Sequence, residues 1–583
     1  MKKHQSLHCL KGLLKVLLTL ACCASFAQTP AQTKLEQGPT WSDKTREEFY
    51  AQDQGSHMIP LKWANALKQS NGQPFLAANL DRYGYLPNPF SQLGLPIGFT
   101  TNTDNNTTYL GMTCAACHTR QIEVAGTSYR IDGGPAITDL QSLFSDLNTA
   151  VATVLTDATA FDQFAREVLG GTPSTSAKQK LRDEVAAWFL PNDAIVKGSF
   201  QDNVQWGPGR ADCISLIFNR VSGLDIGPPP TYMIPENIKR ADAPVRFPFV
   251  WNAWRQDFTQ WPGFAPNGNK LFGLSRNVGE VIGVFAEFHP FKDKWKLLKV
   301  NYSKNNSANF RGLKRLEELI MEIGPPKWPW PLDQALVARG KQVYQQKDVA
   351  NGSESCEDCH GIKKGKFRFT AKGTWATPIR DVGTDSREVN LLCSEVKTGA
   401  LEGARILGIV NTRLKPVDSA TTLLVLSVGG SILQSYKLPG LGLPGSDEGG
   451  PEQLQATLPT NATAASTSAR LCSPAATVIA PFPYESRVME GIWAAAPYLH
   501  NGSVPTLMEL LTPDSQRVSQ FMLGPAYDIN GVGLSLQQTK FNFTLTTTDC
   551  SDRNSGNSRC GHNYGTTFSA ADKKALLEYL KSL

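Results

Sequence analysis

Apolar residues recur at helical spacing in two segments of the N-terminal half. Residues 140–155 are apolar with a period close to 3.6, and a second such segment runs from about 275 to 289, where Pro290 stops it. Two glycines in the second segment, Gly279 and Gly283, allow another element to pack closely against it. The pattern therefore predicts two buried helices.

The C-terminal half contains two further predicted helices, each with a capping residue at its start. Asp333 can cap a helix that runs through Tyr344, with Gly340 on its buried stripe. Ser569 and Asp572 form a capping-box-like start for a terminal helix. One face of this terminal helix carries Leu576, Leu577, Leu580 and Leu583.

The length and composition indicate a globular protein with more than one core. The 583 residues exceed the size that a single hydrophobic core usually supports. Hydrophobic residues make up 41% and charged residues 19%, a balance that excludes disordered, collagen-like and coiled-coil chains. Between about 429 and 475 the sequence is rich in Gly, Pro, Ser and Thr, which is typical of a low-complexity insertion.

The first 27 residues have the features of a secretory signal peptide. Four lysines precede an apolar run from Val16 to Cys23, and the small residues Ser25 and Ala27 fit the positions that a signal peptidase recognises. An uncleaved anchor and lipidation of a cysteine in this run are the alternatives. We interpret 1–27 as a signal peptide and expect a periplasmic or secreted protein without a stable membrane span.

The net charge does not point to a nucleic-acid partner. The formal charge of +6 falls to +2 without the first 27 residues, because 54 lysines and arginines then face 52 acidic residues. An excess of this size is too small to indicate nucleic-acid binding.

Two identical cysteine motifs carry the most specific chemical information. Residues 114–118 read Cys-Ala-Ala-Cys-His, and residues 356–360 read Cys-Glu-Asp-Cys-His. Two thiols three positions apart can add to the vinyl groups of one porphyrin, while the adjacent imidazole reaches its iron. A zinc site would need two further ligands, and the sequence neighbours of neither motif offer them. The sequence therefore predicts two covalently bound haem c groups, attached through Cys114, Cys117, Cys356 and Cys359.

Five cysteines remain outside the signal peptide and the motifs. Cys550 and Cys560 flank a Ser-, Asn- and Gly-rich loop and can close a short disulfide, and Cys393 with Cys472 can form a second. Cys213 would then be unpaired. The alternative is that three of the five are unpaired core thiols.

The helices and motifs together predict a fold class. The helix before the second motif and the terminal helix after it resemble the small cytochrome c fold, in which these two helices cross. We therefore predict a mainly α protein with long loops and two cytochrome c-like haem domains. The first covers 28–330 and is heavily elaborated, and the second covers 331–583 with the insertion near 429–475.

An aromatic-rich segment lies within the elaboration of the first domain. Residues 247–264 contain seven aromatic side chains in 18 positions. One interpretation is the core of a large loop, and the other is an apolar substrate or electron-transfer region beside a haem.

With these motifs the sequence resembles the bacterial dihaem cytochrome c peroxidase superfamily. The resemblance depends on both haem motifs and on residues 496–503, which read Ala-Pro-Tyr-Leu-His-Asn-Gly-Ser. It is closest to the long-chain branch that contains rubber oxygenases and dihaem fatty-acid dioxygenases. The segments that support this branch are 53–56, 94–99, 276–280 and 383–385.

The resemblance implies roles for individual residues. His118 and His360 would be the proximal iron ligands, and His500 would be the distal ligand of the second haem. Trp251 matches the tryptophan that lies between the two haems. Glu280 lies where peroxidase relatives have an acid–base carboxylate.

The remaining histidines suggest that the two haems differ. None of His57, His289 and His562 lies in a motif that demands iron ligation. An iron that stores an electron is better held by two strong ligands, whereas one that binds oxygen or peroxide needs an open position. We therefore expect a six-coordinate second haem and an open first haem.

Three hypotheses of function follow from the resemblance. The leading one is an oxygenase that oxidises a carbon–carbon double bond of an apolar small molecule or polymer, such as an unsaturated fatty acid or polyisoprene. The second is a peroxidase that reduces hydrogen peroxide with electrons from a small donor protein. The third, an electron-transfer cytochrome without a substrate, does not account for the length of the first domain. Fold resemblance alone does not separate the first two.

Overall fold

The computed structural model describes residues 32–201, 204–296, 298–366, 373–406, 413–435 and 482–583. The predicted signal peptide and most of the predicted insertion near 429–475 lie outside these ranges.

The α-helices are distributed along the whole described chain. They span Asp43–Ala51, Leu61–Ala66, Leu140–Thr156, Ala158–Leu169, Thr175–Ser199, Cys213–Phe218, Lys270–Gly283, Phe310–Glu322, Gln334–Gln345, Cys356–His360, Arg387–Leu391, Ala420–Ser435, Leu507–Leu510 and Ala570–Ser582.

The β-strands are short and form small sheets. The longer strands span Gln32–Lys34, Phe99–Asp104, Thr107–Met112, Thr119–Val124, Thr127–Asp132, Glu395–Lys397, Val417–Ser419, Gln520–Met522 and Thr544–Thr546. Two-residue strands lie at Ile59–Pro60, Arg210–Ala211, Val245–Arg246, Phe258–Thr259, Ala265–Pro266, Phe291–Lys292, Val300–Asn301, Ile379–Arg380, Tyr484–Glu485, Tyr527–Asp528 and Gly533–Leu534.

The prediction of a mainly α protein is wrong, since helices account for 39% of the structure and strands for 16%. The longest strands lie around the first motif, and the Asn- and Thr-rich residues before it form a hairpin. Strand Phe99–Asp104 pairs antiparallel with Thr107–Met112. Asn105 and Asn106 make the turn with φ of 45° and 65°, the left-handed pair that a tight hairpin requires.

A second hairpin follows the first motif directly. Strand Thr119–Val124 pairs with Thr127–Asp132, and Ala125 and Gly126 make its turn with φ of 49° and 78°. The motif therefore forms the connection between two hairpins, whereas the sequence analysis had placed it in a helical domain.

The two crossing helices predicted around the second motif are confirmed. The Asp333 side chain accepts hydrogen bonds at the start of Gln334–Gln345, and Ser569 accepts one from the backbone N–H of Asp572 at the start of Ala570–Ser582. A Cβ atom on Gly340 would overlap the carbonyl oxygen of Ala575. Glycine therefore permits the close crossing of these helices.

The predicted helix at about 275–289 is shifted toward the N-terminus. It spans Lys270–Gly283 and ends where Phe285 adopts a left-handed backbone conformation, with φ of 73°. Gly279 faces Val428, and Gly283 lies against Ile217, so both glycines face neighbouring elements as expected.

Two of the buried cores combine residues from both predicted domains. Ile122 and Trp251 belong to the same buried cluster as Trp493 and Leu576. This shared core holds the two cysteine motifs in one framework, while the domain boundary near 330 stays a prediction.

The cysteines outside the motifs are partly paired. Cys550 and Cys560 form a disulfide. Cys393 is also disulfide-bonded, and its predicted partner Cys472 lies outside the described residues. Cys213 is a free thiol.

In the described ranges, no helix has both the length and the apolar character needed to cross a membrane.

Replacing Gly340 tests the helix crossing. Gly340→Ala should lower the free energy of unfolding by about 1–3 kcal/mol, because the new methyl group overpacks the contact with Ala575. Gly279→Ala is the matched control, because the nearest atom to its new methyl group would be 3.7 Å away. Chemical denaturation, monitored by circular dichroism, measures the free energy of unfolding of both variants. Equal stabilities of the two variants would contradict the crossing.

Candidate functional site

Two cavities lie behind the two cysteine motifs. The first is lined by Cys114, Cys117 and His118. The second is lined by the two cysteines and the histidine of 356–360. No motif cysteine forms a disulfide in the described part of the chain. Each motif therefore presents two thiols and one imidazole to its own cavity.

A main-chain carbonyl fixes the orientation of His118. Its Nδ1 lies 2.9 Å from the carbonyl oxygen of Pro248. Because a carbonyl oxygen only accepts hydrogen bonds, Nδ1 carries the proton and Nε2 has a free lone pair. Burial lowers the pKa of His118 to about 4, so the imidazole is neutral near pH 7. This is the form in which histidine binds a metal.

The second motif forms one helical turn, Cys356–His360, with a capping box at its start. Ser355 Oγ accepts a hydrogen bond from the backbone N–H of Asp358, and the Asp358 carboxylate accepts one from the backbone N–H of Ser355. His360 follows the same rule as His118, since its Nδ1 lies 2.7 Å from the carbonyl oxygen of Arg487. Burial lowers its pKa as well.

A further histidine, His562, lies opposite His360. Both line the second cavity, and their ring centroids are 6.2 Å apart with the planes inclined at 44°. Metal–imidazole bonds of about 2 Å would place two rings on one iron about 6 Å apart. The buried Nδ1 of His562 has no hydrogen-bond partner among the described residues, and burial lowers the pKa of His562 to about 3. The sequence analysis missed this residue because no motif surrounds it.

His500 also lines the second cavity, but it has other neighbours. Its ring stacks on Tyr484 with centroids 3.7 Å apart. Its Nε2 lies 2.6 Å from Oδ2 of Asp385, although the two groups are not aligned as a hydrogen bond. The structure therefore brings both His500 and His562 to the cavity of His360.

The two cavities share one wall. The residues that line both are Arg246, Phe249, Trp261, Glu485 and Arg487. Any group bound in one cavity is therefore separated from the other cavity by a single layer of side chains.

Trp251 lies behind this wall. It is fully buried, and its ring stacks on Phe249 with centroids 4.6 Å apart and planes inclined at 13°. Its Nε1 donates a hydrogen bond to the carbonyl oxygen of Glu490. Among the described residues, Phe249 and Trp261 are the aromatic side chains that line both cavities.

Glu280 reaches the first cavity from helix Lys270–Gly283. Its side chain is 41% exposed, and because it lines the cavity, this exposed part faces the same space as His118. Gln260 Nε2 donates a hydrogen bond of 3.0 Å to its Oε1, and Arg276 Nε lies 3.9 Å from the same oxygen. Burial raises the pKa of Glu280. A carboxyl group that can hold a proton is therefore present in this cavity.

The first cavity also has a large aliphatic surface. Its aliphatic lining residues include Leu140, Ile214, Leu216, Ile217, Val284 and Ile320. Such a surface binds apolar groups in preference to water.

The residues present fit two haem c groups. Each cavity offers the thiol pair for covalent attachment and a neutral, oriented imidazole for iron. The shared wall also contains Arg246, whose buried Nη1 has no hydrogen-bond partner within the described part of the chain. An unpaired guanidinium N–H suits a haem propionate.

Comparison with known proteins places the chain near one cytochrome family. A family model described as RoxA-like, cytochrome c-like matches residues 483–522. Uncharacterized protein y4iJ of Sinorhizobium fredii is 28% identical over 604 aligned positions, which cover 94% of this chain and 93% of that protein. Uncharacterized protein y4iM of the same organism is 54% identical over 54 positions, which cover 9% of this chain and 12% of that protein.

The family match supports a c-type cytochrome with redox activity. It covers Arg487 and His500 and therefore includes part of the second cavity. It marks a single cytochrome c-like region, so the prediction of two cytochrome c-like domains is wrong. The physical reason is local, because hairpins rather than crossing helices frame the first motif.

Proposed function

We propose that this protein is an exported dihaem oxygenase. It would use oxygen at the haem bound by His118 to oxidise a carbon–carbon double bond in an apolar substrate, such as polyisoprene or an unsaturated fatty acid. The observation that supports this proposal best is the difference between the two cavities.

The cavities differ in the imidazoles that they offer to iron. The second cavity holds His360 together with His562 and His500. Among the described residues that line the first cavity, His118 is the only histidine. An iron with two strong ligands stores an electron, and an iron with one strong ligand keeps a position open for oxygen. The first cavity is therefore the proposed reaction site.

The aliphatic lining of the first cavity supports an apolar substrate. Ile214, Ile217 and Val284 would contact a hydrocarbon chain and exclude water from the site. The resemblance to the rubber oxygenase and fatty-acid dioxygenase branch points to the same substrate class.

The chain's own residues prepare the site in three ways. The Pro248 carbonyl holds His118 in the tautomer that leaves Nε2 free. The aliphatic wall orients the substrate, and Gln260 holds in the cavity the carboxyl group of Glu280, whose pKa burial raises. Haem c, when bound, supplies an iron that activates oxygen and exchanges single electrons.

A second candidate function is the reduction of hydrogen peroxide with electrons from a small cytochrome or copper protein. The position of Glu280 favours it, because cleavage of an oxygen–oxygen bond needs a proton donor and acceptor beside the iron. In that case Glu280→Gln should slow peroxide consumption by about 100-fold.

Oxygen and peroxide consumption separate the two functions. The purified protein should consume oxygen when supplied with dispersed poly(cis-1,4-isoprene) or oleic acid, and the products should carry oxygen at the former double bond. Hydrogen peroxide loss driven by a reduced small cytochrome, without oxygen uptake, would contradict the oxygenase and support the peroxidase. Absence of both activities would leave electron transfer as the function.

The distal ligand of the second haem can be tested with a pair of variants. The ring geometry leads us to expect that His562→Ala changes one haem from low-spin to high-spin or water-ligated, while the other haem keeps its spectrum. His500→Ala should leave the low-spin signal in place, because His500 is stacked on Tyr484 and lies beside Asp385. Absorption and electron paramagnetic resonance spectra report the spin state of each haem in both variants. The opposite result would restore His500 as the ligand expected from the sequence.

A further inference from the structure

One buried arginine connects the two predicted proximal histidines. His118 Nδ1 donates to the carbonyl oxygen of Pro248, and the next carbonyl in the chain, that of Phe249, accepts a 2.8 Å hydrogen bond from Arg487 Nη1. The carbonyl oxygen of Arg487 itself accepts from His360 Nδ1 at 2.7 Å. A continuous path of covalent and hydrogen bonds therefore joins the two imidazoles.

The guanidinium of Arg487 is held firmly at this position. Gln256 Oε1 accepts hydrogen bonds from Nη2 at 2.9 Å and from Nε at 3.3 Å, and Glu485 Oε1 lies 3.4 Å from Nε. The guanidinium also lies 4.2 Å from the ring centroid of Phe249. Arg487 is 7% exposed and lines both cavities. Its side chain is therefore ordered by several contacts in the wall between the proposed haems.

We propose that Arg487 is the residue that couples the two haems, carrying electron exchange between their proximal ligands. This inference rests on the proposed presence of two haems, but it does not depend on which substrate is oxidised. One electron leaves the iron held by His360, which is oxidised from ferrous to ferric, and reaches the iron held by His118, which is reduced from ferric to ferrous. No proton is transferred. Tunnelling decays less steeply through covalent and hydrogen bonds than across gaps, and the path through Arg487 contains no gap.

Trp251 provides the rival route. Its ring is fully buried behind Phe249, and its Nε1 is committed to Glu490. Removing its indole would leave every bond of the path through Arg487 in place. A route through Trp251 therefore predicts slower electron exchange in a Trp251 variant, whereas the route through Arg487 predicts slower exchange in an Arg487 variant.

The test is the rate of electron exchange between the haems in the purified dihaem protein, without substrate. A limiting amount of dithionite supplies the electrons, and stopped-flow absorption follows the redistribution from one haem to the other. Arg487→Lys, which keeps the charge but loses the planar fork, should slow this redistribution by about tenfold or more. Gln256→Met keeps Arg487 but removes the oxygen that accepts its Nε and Nη2 hydrogen bonds. The rate of redistribution in this variant should lie between those of the unmodified protein and Arg487→Lys.

Two controls separate coupling from general damage to the protein. Arg210→Lys changes another buried guanidinium, which lines neither cavity and donates to the carbonyl oxygen of Trp206, and it should change the rate by less than about twofold. Trp251→Phe should also change the rate of electron exchange by less than about twofold. Haem content and circular dichroism establish that each variant is folded, and the Gln256 variant serves if Arg487→Lys does not fold.

Three outcomes in the dihaem protein would overturn the proposal. These are an unchanged rate in folded Arg487→Lys and Gln256→Met, a selective slowing in Trp251→Phe, and equal slowing in the Arg210 and Arg487 variants. A protein with one haem would overturn this proposal and the proposed function together. A dihaem protein with no effect of Arg487 would overturn this proposal alone.

Discussion

Both cavities depend on a hydrogen bond between a half-buried imidazole and a main-chain carbonyl. His118 donates to Pro248, and His360 donates to Arg487. Each bond fixes the tautomer of its ring and turns Nε2 toward the cavity, while burial keeps the ring neutral by lowering its pKa. Without these carbonyls the cysteine motifs would still offer thiols, but the imidazoles would have no defined direction.

These two hydrogen bonds require parts of the chain that are distant in sequence to pack together. Pro248 is 130 residues from His118, and Arg487 is 127 residues from His360. The segments that supply the carbonyls also supply the wall between the cavities, through Phe249 and Arg487. Support of each ligand and separation of the two cavities are therefore achieved by the same residues.

The sequence predicted the parts of this arrangement that depend on local chemistry. The cysteine motifs have a spacing set by the porphyrin, and the caps at Asp333 and Ser569 satisfy backbone groups only a few residues away. The hairpin around Asn105 and Asn106 also has a local signal, since asparagine tolerates left-handed backbone conformations, but this signal did not enter the prediction of a mainly α protein.

Other features depend on tertiary packing and have no signature in the sequence. No motif marks His562 as the residue opposite His360, and no pattern shows that Phe249, rather than Trp251, lines both cavities. The resemblance directed attention to His500, which does reach the same cavity but beside Asp385. Contacts between segments separated by more than 100 residues decide these positions.

The central claim is that the chain holds two haems in unequal environments, one closed by two imidazoles and one open. The most direct measurement is electron paramagnetic resonance of the fully oxidised protein, with the haem content determined on the same sample. The account predicts two covalent haems per chain and two ferric signals of equal weight, one low-spin and one high-spin or water-ligated. A single haem, or two haems with the same six-coordinate signal, would contradict it.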